Sequence, residues 1–391
     1  MMPSAPTSLE SDAQPVPGFF RDRPVGSWVA IGVFILLILT CWAIFFADIE
    51  PRWEGNWTPR IEADSGVYFQ IAGVAPSNFV GESQPLITFG GNLLGPVVIA
   101  KVMRDPFFVA VFNFFLLLWM VHVASQIPGL RRRYFVLLFF LNAESYIAIV
   151  SLNKEILASF GLVAFAVAIS RTAKRKRYIV LAAVFSLMAR WEQLAILILY
   201  LVLESRVSPF RGRHKLSLAF VLGFLTVMYT AVVRYSGIDL GGVLAVAESS
   251  GIIARMDNIQ AHFGLPLVIV PKMLMNLFNR WLLPQYFVSP AFLDSDFSDV
   301  QGNIIIHLHT LAMLILMAVA FFKRRLGVSR PIPYLIYLYL LFTAVSPFIQ
   351  PRYEFPLYAL LCIQCSIEPE AYRARRDPLS AHGTQKALAA G

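Results

Sequence analysis

Apolar residues in this chain come in blocks rather than in alternation. Runs such as Trp28 to Phe46 and Phe107 to Ile127 are separated by short polar stretches. Each is close to the ~20 residues a helix needs to cross a hydrocarbon core of roughly 30 Å. The alternating pattern of a membrane barrel is absent, so the chain is expected to be an all-α polytopic integral membrane protein.

The basic residues then give the blocks a direction. Residues 1–24 are rich in Pro, Ser and Asp and end in Arg21 and Arg23, as a disordered cytoplasmic tail does. The run after it is too long for a cleaved signal peptide and lacks a small-residue cleavage site, so it is expected to stay as the first span. Residues 48–105 contain a weaker apolar segment, Leu86 to Met103, broken by Gly90, Gly91, Gly95 and Pro96. A crossing there would put Arg131, Arg132 and Arg133 outside. The preferred reading is a first outer loop with two interfacial helices, followed by Phe107 to Ile127 running inward.

The later charges keep the same alternation. Tyr134 to Val150 runs out, Asn153, Lys154 and Glu155 form an outer turn, and Ile156 to Ile169 returns to Arg171 and Lys174 to Arg177. Tyr178 to Leu203 has basic flanks on both sides and is interrupted by Arg190, Trp191, Glu192 and Gln193. Two half-depth helices with a charged elbow fit this, since ionisable groups at membrane depth are costly unless they line water or pair. The alternative is one long tilted helix with Arg190 and Glu192 paired. Leu216 to Tyr235 runs out to a second large outer loop, 236–303, in which Leu265 to Leu283 carries Lys272, Asn276, Asn279 and Arg280 and suits an interfacial helix or lid. Ile304 to Phe322, Ile332 to Val345 and Phe355 to Ile367 complete a single transmembrane domain over 25–370, ahead of a disordered tail at 371–391. The expectation is about 9–11 transmembrane or half-depth helices, with no internal repeat.

Composition sharpens the class. With 57% hydrophobic and 15% charged residues and a mean hydropathy of +0.64, the chain is too apolar for a soluble domain. The net charge of +9 sits in runs between apolar blocks, where it sets orientation, and no nucleic-acid module is visible. Cys41, Cys362 and Cys365 all fall within apolar spans, so neither a disulfide framework nor a metal site is expected from them.

The segment from Arg60 to Ala75 is the most unusual polar stretch. It carries Glu62 and Asp64 on the outer face, followed by Val67, Ile71 and Val74 at helical spacing, which would lie on the membrane and hold the carboxylate at its surface. Such an acid is a candidate catalytic carboxylate, or the cap of a helix beginning at Ser65. His307 and His309, with Asp294, Asp296 and Asp299 upstream, are candidate ligands for a divalent metal, but residues two apart do not share a helix face.

The order of these parts resembles the membrane glycosyltransferases of the C superfamily, which use polyprenyl-phosphate sugars as donors. Their acidic motif in the first outer loop is matched by Glu62, Ala63 and Asp64 with Tyr68 and Ala72, a second outer acid by Glu155, and a late RYxxP-like stretch by Arg352, Tyr353 and Pro356. The chain departs from the pattern in being short, in lacking a soluble C-terminal domain and in placing Lys154 beside Glu155. It is also similar to bacterial polysaccharide polymerases of the O-antigen or exopolysaccharide type. The resemblance implies a multi-pass protein of the cell's inner (plasma) membrane, moving a sugar from a polyprenyl-phosphate donor to a glycan or lipid acceptor in envelope synthesis.

That chemistry needs a base within reach of the acceptor proton and cations near the phosphate. Asp64 is the expected base, with Glu62 or Glu155 orienting the acceptor or holding a divalent metal. Arg190, Arg352 and Lys154 are the expected phosphate ligands, since an arginine fork binds two oxygens and stays charged. Tyr68, Glu192 and Tyr353 complete the expected substrate-binding set, although Arg352 beside Tyr353 also reads as an interfacial anchor. A lipid-linked glycan transporter, for which Arg190 and Glu192 are the deep ionisable groups, and a non-catalytic envelope scaffold are the other classes.

Overall fold

The computed structural model describes residues 24–54, 63–74, 94–171, 174–235, 256, 259–260, 263–278, 297–345 and 351–368. Among them the regular elements are helical, and the extended pairing is a single bridge between Leu130 and Ile367. The chain divides at Leu39 and Thr40 into two compact units. The described part of the first belongs to α1 (Pro24–Ile44), with Ile35, Leu36 and Leu39 exposed.

The second unit is built on α8 (Glu155–Ser170), whose residues are buried from Glu155 through Ala168. A helix reads EILASFGLVAFAVA with so little polar surface only when it is enclosed on every side. Around it stand α5 (Pro106–Ala124), α9 (Arg175–Ala189) and α15 (Phe355–Ser366), which make its most extensive contacts. Gly161 permits the closest of these crossings: a Cβ there would meet Gln193 Nε2 and Ser186 Oγ, each at 2.9 Å.

Among the described residues two elements are long and apolar enough to cross a membrane, α5 and the Ile305–Phe322 part of α13 (Phe297–Phe322). A third crossing is possible through α6 (Arg132–Phe139) and α7 (Ala143–Val150), which are bent by 88° at their junction. The sequence pattern predicted one unbroken run there. The bend forms because Asn142 leaves the helix, accepts from Glu144 N at 3.0 Å and caps α7, while Ser145 Oγ donates to the Phe139 carbonyl.

The basic turns gather at one end of the second unit. Arg131 N donates to Ser366 O at 3.0 Å and its guanidinium pairs with Glu368 at 3.0 Å. Arg171 donates to Gln126 Oε1 at 2.7 Å, and Arg325 to Gln364 O at 2.5 Å. His214 joins the 323–330 turn through Val328 O at 2.9 Å and reaches Glu204 at 3.0 Å. Since α8 ends at this basic end, its N-terminus at Glu155 lies at the other.

The charged interruption at 190 separates α9 from α10 (Trp191–Leu203), as two half-depth helices require. Arg190 is extended, with φ −154°, and both helices run from this elbow back to the basic end, at Lys174 and Glu204. The alternative, a continuous tilted helix with Arg190 and Glu192 paired, is incorrect. Arg190 turns inward to α8, while Glu192 is exposed.

Two further helices shape the opposite end. In α4 (Leu94–Met103) the buried Gly95 approaches α9 so closely that a Cβ would lie 2.5 Å from Met188 O. In α12 (Ile269–Phe278) the polarity is inverted, with Lys272 and Asn276 buried and Val270 and Leu274 exposed. α12 contacts α13, α14 (Pro331–Thr343) and a 3-10 turn at Pro351–Glu354, so it is part of the bundle and its polar side faces inward. An interfacial helix with its charges in water has the reverse arrangement.

Candidate active site

The site is assembled on the turn between α7 and α8. Asn113 of α5 holds it by donating to Ile149 O at 3.2 Å and Ser151 O at 2.8 Å. Asn153 then caps α8 by accepting from Glu155 N at 3.0 Å. The turn 151–155 is fully buried, which places Lys154 and Glu155 in the protein interior rather than in a solvated loop.

Glu155 Oε1 meets Arg190 Nη2 at 2.6 Å, with the two side chains 4% and 9% exposed. Charges so far from water are tolerated when they pair at close range and are held by their surroundings. The elbow is held by Gln193, whose amide donates to Ala158 O at 2.9 Å and Ser186 Oγ at 2.8 Å. On the other side of the guanidinium lies Tyr353, its ring centroid 4.4 Å from Arg190 Cζ and 6.0 Å from Lys154 Nζ. A ring face flanked by two cations is electrostatically favourable for both. Tyr339 of α14 fixes this turn by donating its hydroxyl to Tyr353 O at 3.2 Å.

The short helix α3 (Ala63–Ile71) docks on the same turn. Ser65 Oγ of α3 donates to Leu152 O at 2.8 Å, and the Phe69 ring packs at a tilt against Trp53 of α2 (Glu50–Glu54), centroids 4.7 Å apart. Asp64 occupies the first turn of α3, immediately before Ser65, so the helix begins two residues earlier than an Asp64 cap would require. Tyr68 is buried at 2% exposure. The structure therefore brings the backbone of Asp64, Tyr68, Lys154, Glu155, Arg190 and Tyr353 to one end of the second unit. Arg352 lies in the same 3-10 turn as Tyr353. Glu62, Asp294 and Asp296 lie outside the described residues.

Other candidates go elsewhere. His309 Nδ1 is hydrogen-bonded to Asn142 Nδ2 at 2.8 Å, at the α6–α7 bend. Among the described residues no three His, Cys, Asp or Glu side chains converge as a metal site would require. Cys362 is fully buried, and Cys365 Sγ contacts Leu316 O at 3.6 Å, as core residues do.

Sequence reasoning missed Glu354, the residue after Tyr353. Its carboxyl is completely buried, and among the described residues neither oxygen accepts a hydrogen bond. Burial pushes its pKa up to about 7 against the lowering influence of Thr343 and Arg190. The available signal was an acid set directly against the apolar run FPLYALL, where no solvated loop remains to hold it.

Fold and site together define an all-helical protein, with helices long and apolar enough to span a membrane, that gathers buried cations and carboxylates at the end opposite its basic turns. No family model, curated protein or solved structure matches the chain.

Proposed function

We propose that the protein is a polytopic membrane glycosyltransferase. It moves a sugar from a polyprenyl-phosphate donor to a glycan or lipid acceptor on the extracytoplasmic face of the cell's inner membrane. The observation that carries the reading is the meeting of Lys154, Glu155, Arg190 and Tyr353 beneath the helix that bears Asp64, at the end opposite the basic turns. Basic turns favour the cytoplasm, so the cluster takes the outer face.

Each part has a role in this reaction. The Arg190 fork and Lys154 offer positive charge to the phosphate, where charge accumulates as the glycosidic bond to it breaks. Glu155 holds Arg190 in place, and the Tyr353 ring offers an apolar surface to a sugar. Asp64, one residue from the docked Ser65, takes the proton from the acceptor hydroxyl, with Glu62 in the preceding residues assisting. The apolar exposed face of α12 and the exposed aromatic residues Phe107 and Phe108 supply lipid contact beside the site.

The test is mass spectrometry of lipid-linked oligosaccharides and surface glycans from cells with and without the gene. The proposal expects one polyprenyl-linked sugar to accumulate and one glycan to lose that sugar. Loss of chain length with the repeat unit intact would instead assign a polysaccharide polymerase. Identical profiles would contradict both.

A further inference from the structure

The 3-10 turn at 351–354 places Glu354 among buried polar atoms that lack hydrogen-bond partners, the Nε of Arg190 included. Both its carboxylate oxygens and Asn276 Oδ1 are buried without a hydrogen-bond partner among the described residues. The two side chains share a neighbour, Thr343. The Asn276 amide donates to Thr343 O at 3.3 Å, and the Thr343 hydroxyl lies beside the Glu354 carboxyl but donates to Leu340 O at 3.2 Å. Buried acceptors left without donors are costly, by about 1–3 kcal/mol each. One added proton removes much of that cost: it neutralises the carboxyl and turns one of its oxygens into a donor for an acceptor nearby.

The groups around this carboxyl decide what ionisation would do. On the elements packed against its turn the titratable side chains among those described are Tyr334, Tyr337 and Tyr339 of α14, Lys272 of α12, His307 and His309 of α13, and Tyr358, Cys362 and Cys365 of α15. Lys272 is bound to Gln260 Oε1, and His309 to Asn142. Tyr339 and Tyr358 donate to Tyr353 O and Leu138 O. Among the described side chains, the cation whose charge reaches Glu354 is Arg190, which is already paired with Glu155.

We propose that Glu354 is a proton-carrying positioning residue: while neutral it leaves Arg190 to Glu155 and Tyr353, and as an anion it competes for Arg190 and pulls it out of that arrangement. The proton passes to and from solvent, and no other bond changes. Two carboxylates then share one guanidinium, and the phosphate-binding charge above Tyr353 is lowered whenever both are ionised. Raising of the Glu354 pKa by burial agrees with a group that changes state near neutral pH. The effect on turnover rests on the glycosyltransferase reading, whereas the protonation itself does not.

The experiment is infrared spectroscopy on the purified full-length protein in detergent between pH 5 and pH 9, paired with sugar-transfer rates over the same range. Wild-type protein should show the carbonyl band of a neutral, buried carboxyl at pH 6, fading near pH 7, and Glu354→Gln should lack it. Glutamine mimics the neutral acid and should fold. Should it fail to accumulate, Glu354→Asp provides the second variant, with a displaced band. Superimposable spectra of wild type and variant at pH 6 would overturn the proposal whatever the activity. In the assay, wild-type turnover should fall about tenfold between pH 6 and pH 8, following the neutral fraction, while Glu354→Gln stays flat. A folded Glu354→Gln protein inactive at every pH would also overturn it, since the neutral form would then not be the working one. A band that titrates as described in a protein with no transfer activity would retain the proton site and remove only the glycosyltransferase reading.

Discussion

Arg190 and Glu155 meet at 2.6 Å in a setting that leaves each under one tenth exposed, so neither has water as an alternative partner. Removing one member of such a pair strands the other and typically costs about 3–5 kcal/mol. Arg190→Ala and Glu155→Ala should each lower the denaturation midpoint of the detergent-solubilised protein sharply, and the double replacement Glu155→Gln with Arg190→Met should recover much of the loss. Equal, additive losses would mean the pair is not coupled. Glu354 makes a pH prediction of the opposite kind to an ordinary carboxylate. Its pKa is about 7 in the fold and about 4.3 when unfolded, so between those values the folded state binds the extra proton. Stability from this group is present at low pH and falls as pH rises through that window, by roughly 4 kcal/mol in all. Midpoints measured at pH 5 and pH 8 should show the fall in wild type and its absence in Glu354→Gln.

Helix-level features differ in how far the sequence betrays them. The elbow at Arg190 was legible, because a charged tetrapeptide inside an apolar run with basic flanks on both sides leaves few other ways to satisfy those charges. Its partner was not. Glu155 precedes Arg190 by 35 positions, and only the crossing of α8 and α9 at Gly161 brings the two together. The 88° break between α6 and α7 also escaped, since Asn142, Glu144 and Ser145 within an otherwise apolar run read as minor polar positions until the Asn142 side chain is seen capping a helix. For α12 the polar residues Lys272 and Asn276 suggested an interfacial helix, whereas both are buried, because the residue types alone do not say which side of a helix is inside. The close crossings make their own prediction. Gly161→Leu would drive a side chain into Gln193 and Ser186, and Gly95→Leu would meet Met188 O. Overpacking of this kind costs at least about 1–3 kcal/mol. Both variants should lower the yield of folded protein recovered by size-exclusion chromatography, whereas Gly223→Leu, with open space around it, should not.

For the whole molecule, the separation of basic turns from the buried polar cluster is the organising fact. The positive-inside rule turns that separation into a sidedness. Single cysteines at Ser77 and Arg132, in protein whose Cys41, Cys362 and Cys365 have been replaced, should react with an impermeant thiol reagent from opposite sides of sealed membranes. Reaction of both from one side would contradict the orientation. The central claim, sugar transfer at the outer end by the carboxylate on α3, has a more direct test. Asparagine at position 64 keeps the size and most hydrogen bonds of the acid but accepts no proton, and a general base contributes about 100- to 10,000-fold to a rate. Wild type and Asp64→Asn, purified and reconstituted with a polyprenyl-phosphate sugar donor and an acceptor glycolipid, should both fold and bind the donor, with the variant at least 100-fold slower. A folded Asp64→Asn protein that keeps more than about a tenth of wild-type turnover would contradict the account.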